Sequence, residues 1–309
     1  MSKSRYLPDR GLSARMGLTM FLLGLLYVVL CVALFFLFGN SPSGLVFAVL
    51  VSGGLLWAQW YFSDRMALAA MRGRVVTPEE APQLHAIVDR LCALADMPKP
   101  QVAIADVDMP NAFATGRSPE RAVVCVTTGL MRRIDEQELE AVLSHELSHV
   151  AHRDVTVMTV ASFVAVLAGF MMRSMMWSSM LGGGRRRDND NNAALVFLVV
   201  MLVSVVVYAI SYLLIRALSR YRELAADRAG AFLTGQPSKL ASALVKITGE
   251  IGRIPTRDLR EAQAYNAFFF APAISDRFDL SSVFSTHPSL EKRLDQLNRI
   301  SSELGRPGA

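Results

Sequence analysis

Four uncharged apolar segments constrain the fold of this chain more than any other feature of its sequence. They cover residues 16–38, 44–62, 155–172 and 193–215, and each has close to the roughly 20 residues that a helix needs to cross a bilayer. The composition agrees, because 52% of the residues are hydrophobic and only 19% are charged, whereas about 25% are charged in soluble domains. The sequence therefore predicts a membrane protein with about four transmembrane helices, with a helix packed inside protein as the alternative for residues 155–172.

These segments divide the chain into five parts. Residues 1–15 are a basic tail, 16–62 a transmembrane hairpin, 63–154 and 216–309 two polar parts, and 155–215 a second apolar hairpin. Because two crossings return the chain to the side from which it started, we expect the two polar parts to meet in one domain.

Basic residues predict the side of the membrane on which that domain lies. The tail before residue 16 is rich in Lys and Arg, and the loop at residues 39–43 carries no charge, so the positive-inside rule places the tail and both polar parts in the cytoplasm. The three arginines at residues 185–187 oppose this orientation. The net charge of +5 fits a protein oriented toward anionic lipid, and no cluster of basic and aromatic residues indicates nucleic acid.

One short motif carries most of the chemistry. His145, Glu146 and His149 form an H-E-x-x-H string. On a helix, residues four apart lie on the same face, so both imidazoles can bind one ion while Glu146 reaches a water beside it. The alternative is a surface helix that happens to carry histidines. The three cysteines show no C-x-x-C spacing, so neither a disulfide framework nor a cysteine-zinc site is indicated.

The polar part before this motif has the pattern of an α+β domain. Thr77, Pro78 and Glu80 predict a helix start, and residues 101–105 and 122–126 predict short strands. Residues 111–116 predict an edge strand along which an extended peptide could pair, with an ordinary loop as the alternative. The fold class is thus α+β and mainly helical.

The helix that carries the motif has its own start signal and core face. Asp135 and Glu138 have the spacing of a capping box. Its core-facing stripe consists of Leu139, Val142, Leu143, Leu147 and Val150. Just beyond the helix, Asp154 is a candidate for orienting a ligand or for pairing with Arg153.

The third metal ligand must come from a distant part of the chain. Glu223 and Asp227, four residues apart after the last apolar segment, can both face one site on a helix. One carboxylate could then bind the metal while the other accepts a hydrogen bond from a ligand imidazole. The alternative is a solvated charge run together with Arg220, Arg222 and Arg228.

The sequence resembles the HtpX-type membrane zinc endopeptidases and, more distantly, the CAAX prenyl endopeptidases. The matching stretches are residues 111–114, 145–154, 219–227 and 285–294, and they occur in the family order. The resemblance implies a zincin-like domain on the cytoplasmic side of the bacterial plasma (inner) membrane, in a multi-pass protein that cleaves misfolded or damaged membrane proteins as part of a stress response. Its partners would be unfolded polypeptides and the lipid bilayer.

The resemblance also implies roles for individual residues. One Zn²⁺ per chain would be held by His145, His149 and Glu223, with Glu146 as the general base. The further roles would be His287 as oxyanion stabiliser, Asp227 and Arg293 as supporting residues, and Asn111, Ala112 and Phe113 as the substrate-binding edge.

We therefore expect a zinc metalloendopeptidase. Two alternatives remain open at this stage: a non-catalytic membrane scaffold with a structural metal, and a protease restricted to lipidated substrates. A structural zinc site fills all four positions with protein ligands, whereas the sequence offers three strong candidates, which favours catalysis.

Overall fold

The computed structural model describes residues 10–37, 71–181, 191–251 and 287–305, together with single residues and short pieces between positions 43 and 69. The described chain separates into two compact units. We call the one built from the described residues of 1–13, 61–156 and 219–309 the polar unit. The one built from residues 14–60 and 157–218 is the apolar unit.

The secondary structure confirms the predicted class, which is α+β and mainly helical. In chain order the elements are α1 (Arg10–Leu37), β1 (Gly73–Val75), α2 (Pro82–Ala95), β2 (Gln101–Ala105), β3 (Ala112–Thr115), a 3₁₀ turn (Pro119–Arg121), β4 (Val123–Thr127), α3 (Thr128–Arg133), α4 (Glu136–Ala151), α5 (Asp154–Leu181), α6 (Asn191–Thr234), α7 (Pro237–Ile251) and α8 (Leu290–Leu304).

The described residues contain fewer candidate spans than the sequence predicts. Two stretches are long and apolar enough to cross a membrane, Ala14–Ala33 and Leu195–Thr234. A third arises if α4 and the beginning of α5, which meet at 61°, are counted as one broken span. The expected number of four is not confirmed, and the predicted second span, residues 44–62, lies largely outside the described residues.

In the part of the apolar unit that the structure describes, three helices pack against one another. Leu30 of α1, Phe163 of α5 and Val207 of α6 share one buried cluster. Along α6, residues such as Leu198 and Leu202 remain about half exposed, which is the pattern of a helix that turns one stripe to its neighbours and the rest to lipid.

The polar unit is organised around a four-stranded sheet with the order β1-β2-β4-β3. β2 and β4 run parallel, while β1 and β3 pair antiparallel with their neighbours. Val124 of β4, Leu147 of α4 and Leu244 of α7 are buried in one hydrophobic cluster. The sheet and these helices therefore form a common core, with β3 at an edge of the sheet as described.

The predicted start of α2 is wrong by about one turn. The helix begins at Pro82, with Ala81 as N-cap, and the predicted start at Thr77 is instead an isolated turn in which the Glu80 amide donates to the Thr77 carbonyl. The Thr77 amide donates to Glu80 Oε2 at 2.8 Å. This hydrogen bond between Glu80 and Thr77 is typical of a capping box, but here it stabilises a separate turn that precedes the helix.

The predicted start of α4 is confirmed. Asp135 accepts from the Glu138 amide, and the Glu138 side chain accepts from the Asp135 amide, which completes a capping box. Both sides of the helix are covered by protein, because His145 and Glu146 are as well buried as the apolar stripe. Since α4 is a rigid, capped element in the core, its polar side chains are held in fixed positions.

Candidate metal centre

Two imidazoles from α4 and one carboxylate from α6 converge in the polar unit. His145 Nε2 and His149 Nε2 lie 3.2 Å apart. Glu223 places its oxygens 3.7 Å from the first nitrogen and 3.5 Å from the second. Ligand atoms around a tetrahedral ion with bonds of about 2.0–2.1 Å are separated by about 3.3 Å. The three groups, which are the described residues whose donor atoms cluster within 4.8 Å, therefore fit a metal ion.

The close approach of α4 and α6 depends on a glycine. A Cβ added to Gly230 would lie 3.0 Å from the His145 amide nitrogen and 3.2 Å from the Ser144 carbonyl carbon. These are backbone atoms that cannot rotate away. Ser144 also donates its hydroxyl hydrogen to the Gly230 carbonyl, so the helices touch directly beside one ligand.

Each imidazole is oriented by a carboxylate on its other nitrogen. His145 Nδ1 lies 2.9 Å from Asp227 Oδ1, and His149 Nδ1 lies 2.6 Å from Asp154 Oδ2. A hydrogen bond at Nδ1 leaves the lone pair of Nε2 free to bind a metal. Both rings thus present Nε2 toward Glu223.

Two guanidinium groups hold these carboxylates in turn. Arg293 binds Asp227 through two nitrogens at 2.7 and 2.6 Å, and Arg222 Nη2 lies 2.8 Å from Asp154 Oδ2. Burial alone would raise the pKa of Asp154, but Arg222 and His149 hold it below the usual value of an aspartate. Burial alone would likewise lower the pKa of Arg293, but Asp227 raises it.

The charges of the site leave a place for a divalent cation. Four buried carboxylates, those of Glu146, Asp154, Glu223 and Asp227, surround the histidines, and two guanidinium groups offset half of them. A histidine binds a metal in its neutral form, and with both imidazoles neutral two negative charges remain among these described groups. Because uncompensated buried charges are costly, a dication such as zinc matches both the donor atoms and the charge.

Glu146 lies between the ligands and the sheet edge. It is 5% exposed, and its Oε2 accepts from the Ala114 amide of β3 at 3.0 Å. The carboxylate is therefore fixed by the backbone of the strand that lies beside the ligand pair.

The strand predicted to bind substrate, β3, contacts β4 and Glu146 through its backbone groups. Asn111 and Phe113 have buried side chains, and Phe113 pairs with Cys125 of β4. Because pairing alternates along an antiparallel strand, Ala112 and Ala114 direct their N–H and C=O groups away from β4. The Ala114 contact with Glu146 agrees with this phase.

His287 and Arg293 also reach this region. His287 Nδ1 lies 3.1 Å from Glu223 Oε2, and Arg293 Nη1 lies 3.7 Å from the same oxygen. The chain just before α8 thus brings a buried imidazole to the Glu223 carboxylate.

Two contributors are missing from the sequence-based expectations, Arg222 as a partner of Asp154 and Gly230. The sequence places Arg222 only in a solvated charge run. Of the two roles expected for Asp154, it contacts the His149 imidazole, while its ion pair is with Arg222 and not with Arg153. A glycine inside an otherwise helical pattern is a signal of close packing and could have drawn attention to Gly230.

Comparison with known proteins gives a consistent result. Residues 78–301 match the model of Peptidase family M48. The chain is 61% identical to Protease HtpX homolog 1 of Streptomyces coelicolor, over 98% of this chain and 97% of that protein. It is 56% identical to the Protease HtpX homolog of Moorella thermoacetica, over 96% of each chain. The Pyrococcus furiosus homolog is 39% identical, over 96% of this chain and 98% of that protein.

A similar fold also occurs among solved structures. The crystal structure of S. mikatae Ste24p superposes with a TM-score of 0.53 and covers 92% of this chain and 67% of that one, at 16% identity. At this identity the likeness concerns the fold.

Proposed function

Because this chain belongs to peptidase family M48 and is an HtpX-type membrane metalloprotease, we propose that it is a zinc-dependent endopeptidase that cleaves misfolded or damaged membrane proteins. The observation that carries this proposal is the convergence of His145, His149 and Glu223. The proposed place of cleavage is the cytoplasmic side of the bacterial plasma membrane, with a role in protein quality control under stress.

In this proposal His145, His149 and Glu223 hold one zinc ion, and Asp154 and Asp227 keep the two imidazoles in the required orientation. A zinc ion held there would acidify a water molecule and polarise the scissile carbonyl. Three protein ligands leave room for water and substrate, as catalytic sites require and structural sites do not.

Glu146 is the proposed general base. It takes the proton of the attacking water and delivers it to the leaving amine, a role worth about 10²–10⁴ in rate. Its hydrogen bond from the Ala114 amide holds the carboxylate beside the strand that would bind the substrate.

The proposed substrate contact on β3 is the carbonyl of Ala114, which points away from β4 in a partly exposed residue, while the N–H of Ala114 stays with Glu146. An extended peptide adding to β3 would pair by main-chain hydrogen bonds, which do not depend on the side chains of the substrate. Asn111 and Phe113, whose side chains are buried, would support this edge from behind. Such recognition suits an enzyme that acts on unfolded segments of many proteins.

His287 is the proposed donor to the oxyanion that develops on the scissile carbonyl. It is buried next to Glu223, and a preorganised donor in such a site contributes several kcal/mol, by order of magnitude. Arg293, whose guanidinium is held by Asp227, adds a positive charge close to His287 and Glu223.

The decisive experiment separates metal binding from catalysis. The Glu146→Gln variant should bind zinc in the same ratio as the wild type while losing cleavage of casein and of an unfolded membrane protein in detergent. Glu223→Gln should lower the bound zinc. Glu136→Gln, which changes an exposed glutamate on the same helix, is the matched control and should change neither quantity.

Two outcomes would overturn the assignment. Retained turnover in Glu146→Gln would exclude Glu146 as the base, and an unchanged zinc content in Glu223→Gln would remove Glu223 from the ligands. Cleavage of a prenylated peptide without cleavage of casein would point instead to a protease of lipidated substrates.

A further inference from the structure

Arg222 makes a contact that the proposed mechanism leaves without a role. It directly precedes the ligand Glu223 on α6, yet its guanidinium turns toward the joint between α4 and α5. There Nη2 lies 2.8 Å from Asp154 Oδ2, and only 11% of the Arg222 side chain and 4% of the Asp154 side chain are exposed.

A single carboxylate oxygen receives two donors at this joint. Asp154 Oδ2 accepts from Arg222 Nη2 and also lies 2.6 Å from His149 Nδ1. Hydrogen bonds between charged partners are shorter and stronger than neutral ones. The direction in which Asp154 points, and with it the plane of the His149 ring, is therefore tied to the position of Arg222.

The joint itself leaves Asp154 in need of such support. Arg153, the residue before it, has a φ of 55°, a left-handed conformation that non-glycine residues rarely adopt. Asp154 then begins α5. The Asp154 side chain reaches back over this turn to His149. Because Asp154 is the first residue of its helix, no preceding helical turn packs against its side chain, and its orientation depends on the groups that it contacts.

The other ligand histidine shows the same arrangement. His145 Nδ1 faces Asp227, and Asp227 is gripped by Arg293. Each orienting carboxylate thus has its own guanidinium, although the two arginines come from different helices. Because Arg222 contacts Asp154 as Arg293 contacts Asp227, the comparison indicates that Arg222 has the same supporting role.

We propose that Arg222 is a positioning residue of the metal centre, which holds Asp154 so that His149 presents Nε2 to the ion. The inference rests on the metal centre proposed above. Groups that orient metal ligands through such contacts typically contribute about 10- to 100-fold to metal affinity.

The test compares purified full-length variants in detergent. Arg222→Gln removes the charge, Arg222→Lys keeps it, and Arg228→Gln is the control on the same helix, where Arg228 makes a half-exposed ion pair with Glu303 at 3.6 Å. Zinc affinity is measured by competition with a chelator. The absorption spectrum of the cobalt(II)-substituted protein reports the ligand geometry.

We expect Arg222→Gln to bind zinc about 10- to 100-fold more weakly, with an altered cobalt spectrum, and Arg222→Lys to fall between it and the wild type. Arg228→Gln should match the wild type within about twofold. If Arg222→Gln binds zinc like the control, Arg222 has no positioning role while the metal centre stands. If the wild type itself binds no zinc, the proposed function fails first.

A double-mutant cycle distinguishes positioning from general destabilisation. Because Arg222 acts through Asp154, Arg222→Gln should cost little further affinity in a protein that already carries Asp154→Asn. An equal loss in both backgrounds would overturn the proposal. If Arg222→Gln does not fold, Arg222→Lys is compared with Arg228→Lys, and equal zinc affinity of these two would also overturn it.

Discussion

The replacement of Gly230 by alanine should weaken metal binding, while the metal-free fold loses little stability. The added Cβ would lie 3.0 Å from His145 N and 3.2 Å from His145 Cα. Because both are backbone atoms of a capped helix, relief requires α4 and α6 to separate by a few tenths of an ångström. The proposed ligands His145 and Glu223 are carried by these two helices.

The magnitudes can be worked from this geometry. Alanine favours a helix over glycine by about 1 kcal/mol, while overpacking a close contact costs about 1–3 kcal/mol. The net change in the free energy of unfolding of the metal-free protein should thus be a loss of about 0–2 kcal/mol. Metal–ligand distances tolerate only about 0.2 Å, so zinc affinity should fall about tenfold, or about 1.4 kcal/mol.

The assay is chelator competition for zinc, with thermal unfolding of the metal-free protein measured in parallel. Gly249→Ala is the matched control, because a Cβ there meets nothing within 4 Å. The control should be stabilised by up to about 1 kcal/mol and bind zinc like the wild type. If Gly230→Ala behaves in the same way as this control, the close approach of the helices does not set the ligand spacing.

Chelation of the metal should lower the midpoint of thermal unfolding, since an ion at about 100 times its Kd adds about 2.7 kcal/mol; calorimetry with and without added zinc checks this, and an unchanged midpoint would contradict it. Glu138→Gln should destabilise the fold by about 2 kcal/mol, because the buried Glu138 carboxylate accepts from Ser242 and Lys246 of α7, and urea unfolding measures the loss. Burial raises the pKa of Cys92 to about 11 and that of Cys125 to about 12, so both thiols should resist iodoacetamide at pH 8 in the native protein, as followed by mass spectrometry. Their contribution to stability is present below the thiol pKa of the unfolded chain, about 8.5, and should be lost as the pH rises through the two raised values.

Local sequence signals predicted those parts of the fold whose cause is local. The capping box of Asp135 and Glu138 was confirmed because both partners lie within one turn. The strand at residues 101–105 was confirmed, because the continuous apolar run from Val102 to Ala105 is mostly buried in the sheet. The start of α2 was wrong because Thr77 and Glu80 satisfy each other in a separate turn, which a pattern of residue types cannot distinguish from a helix start.

The sequence predicts which side chains could bind the metal, but not which side chains hold them in place. The spacing of His145 and His149 and that of Glu223 and Asp227 are helical and visible in the sequence, and the structure brings these residues together. The contact of Arg222 with Asp154 depends on the turn at residues 152–153, and no periodicity encodes the direction of that turn. Contacts between distant elements follow from packing, which is why sequence reasoning missed them.

The two helices that supply the proposed metal ligands are far apart along the chain. Between His149 and Glu223 lie all the residues of 157–218, which belong to the other unit. An ion that binds both positions acts as a covalent cross-link would, because it closes a large ring and restricts the unfolded chain, an effect worth about 4 kcal/mol for a ring of this size. Loss of the ion would therefore remove activity and at the same time destabilise the polar unit, whose two parts are separated in the chain by residues 157–218.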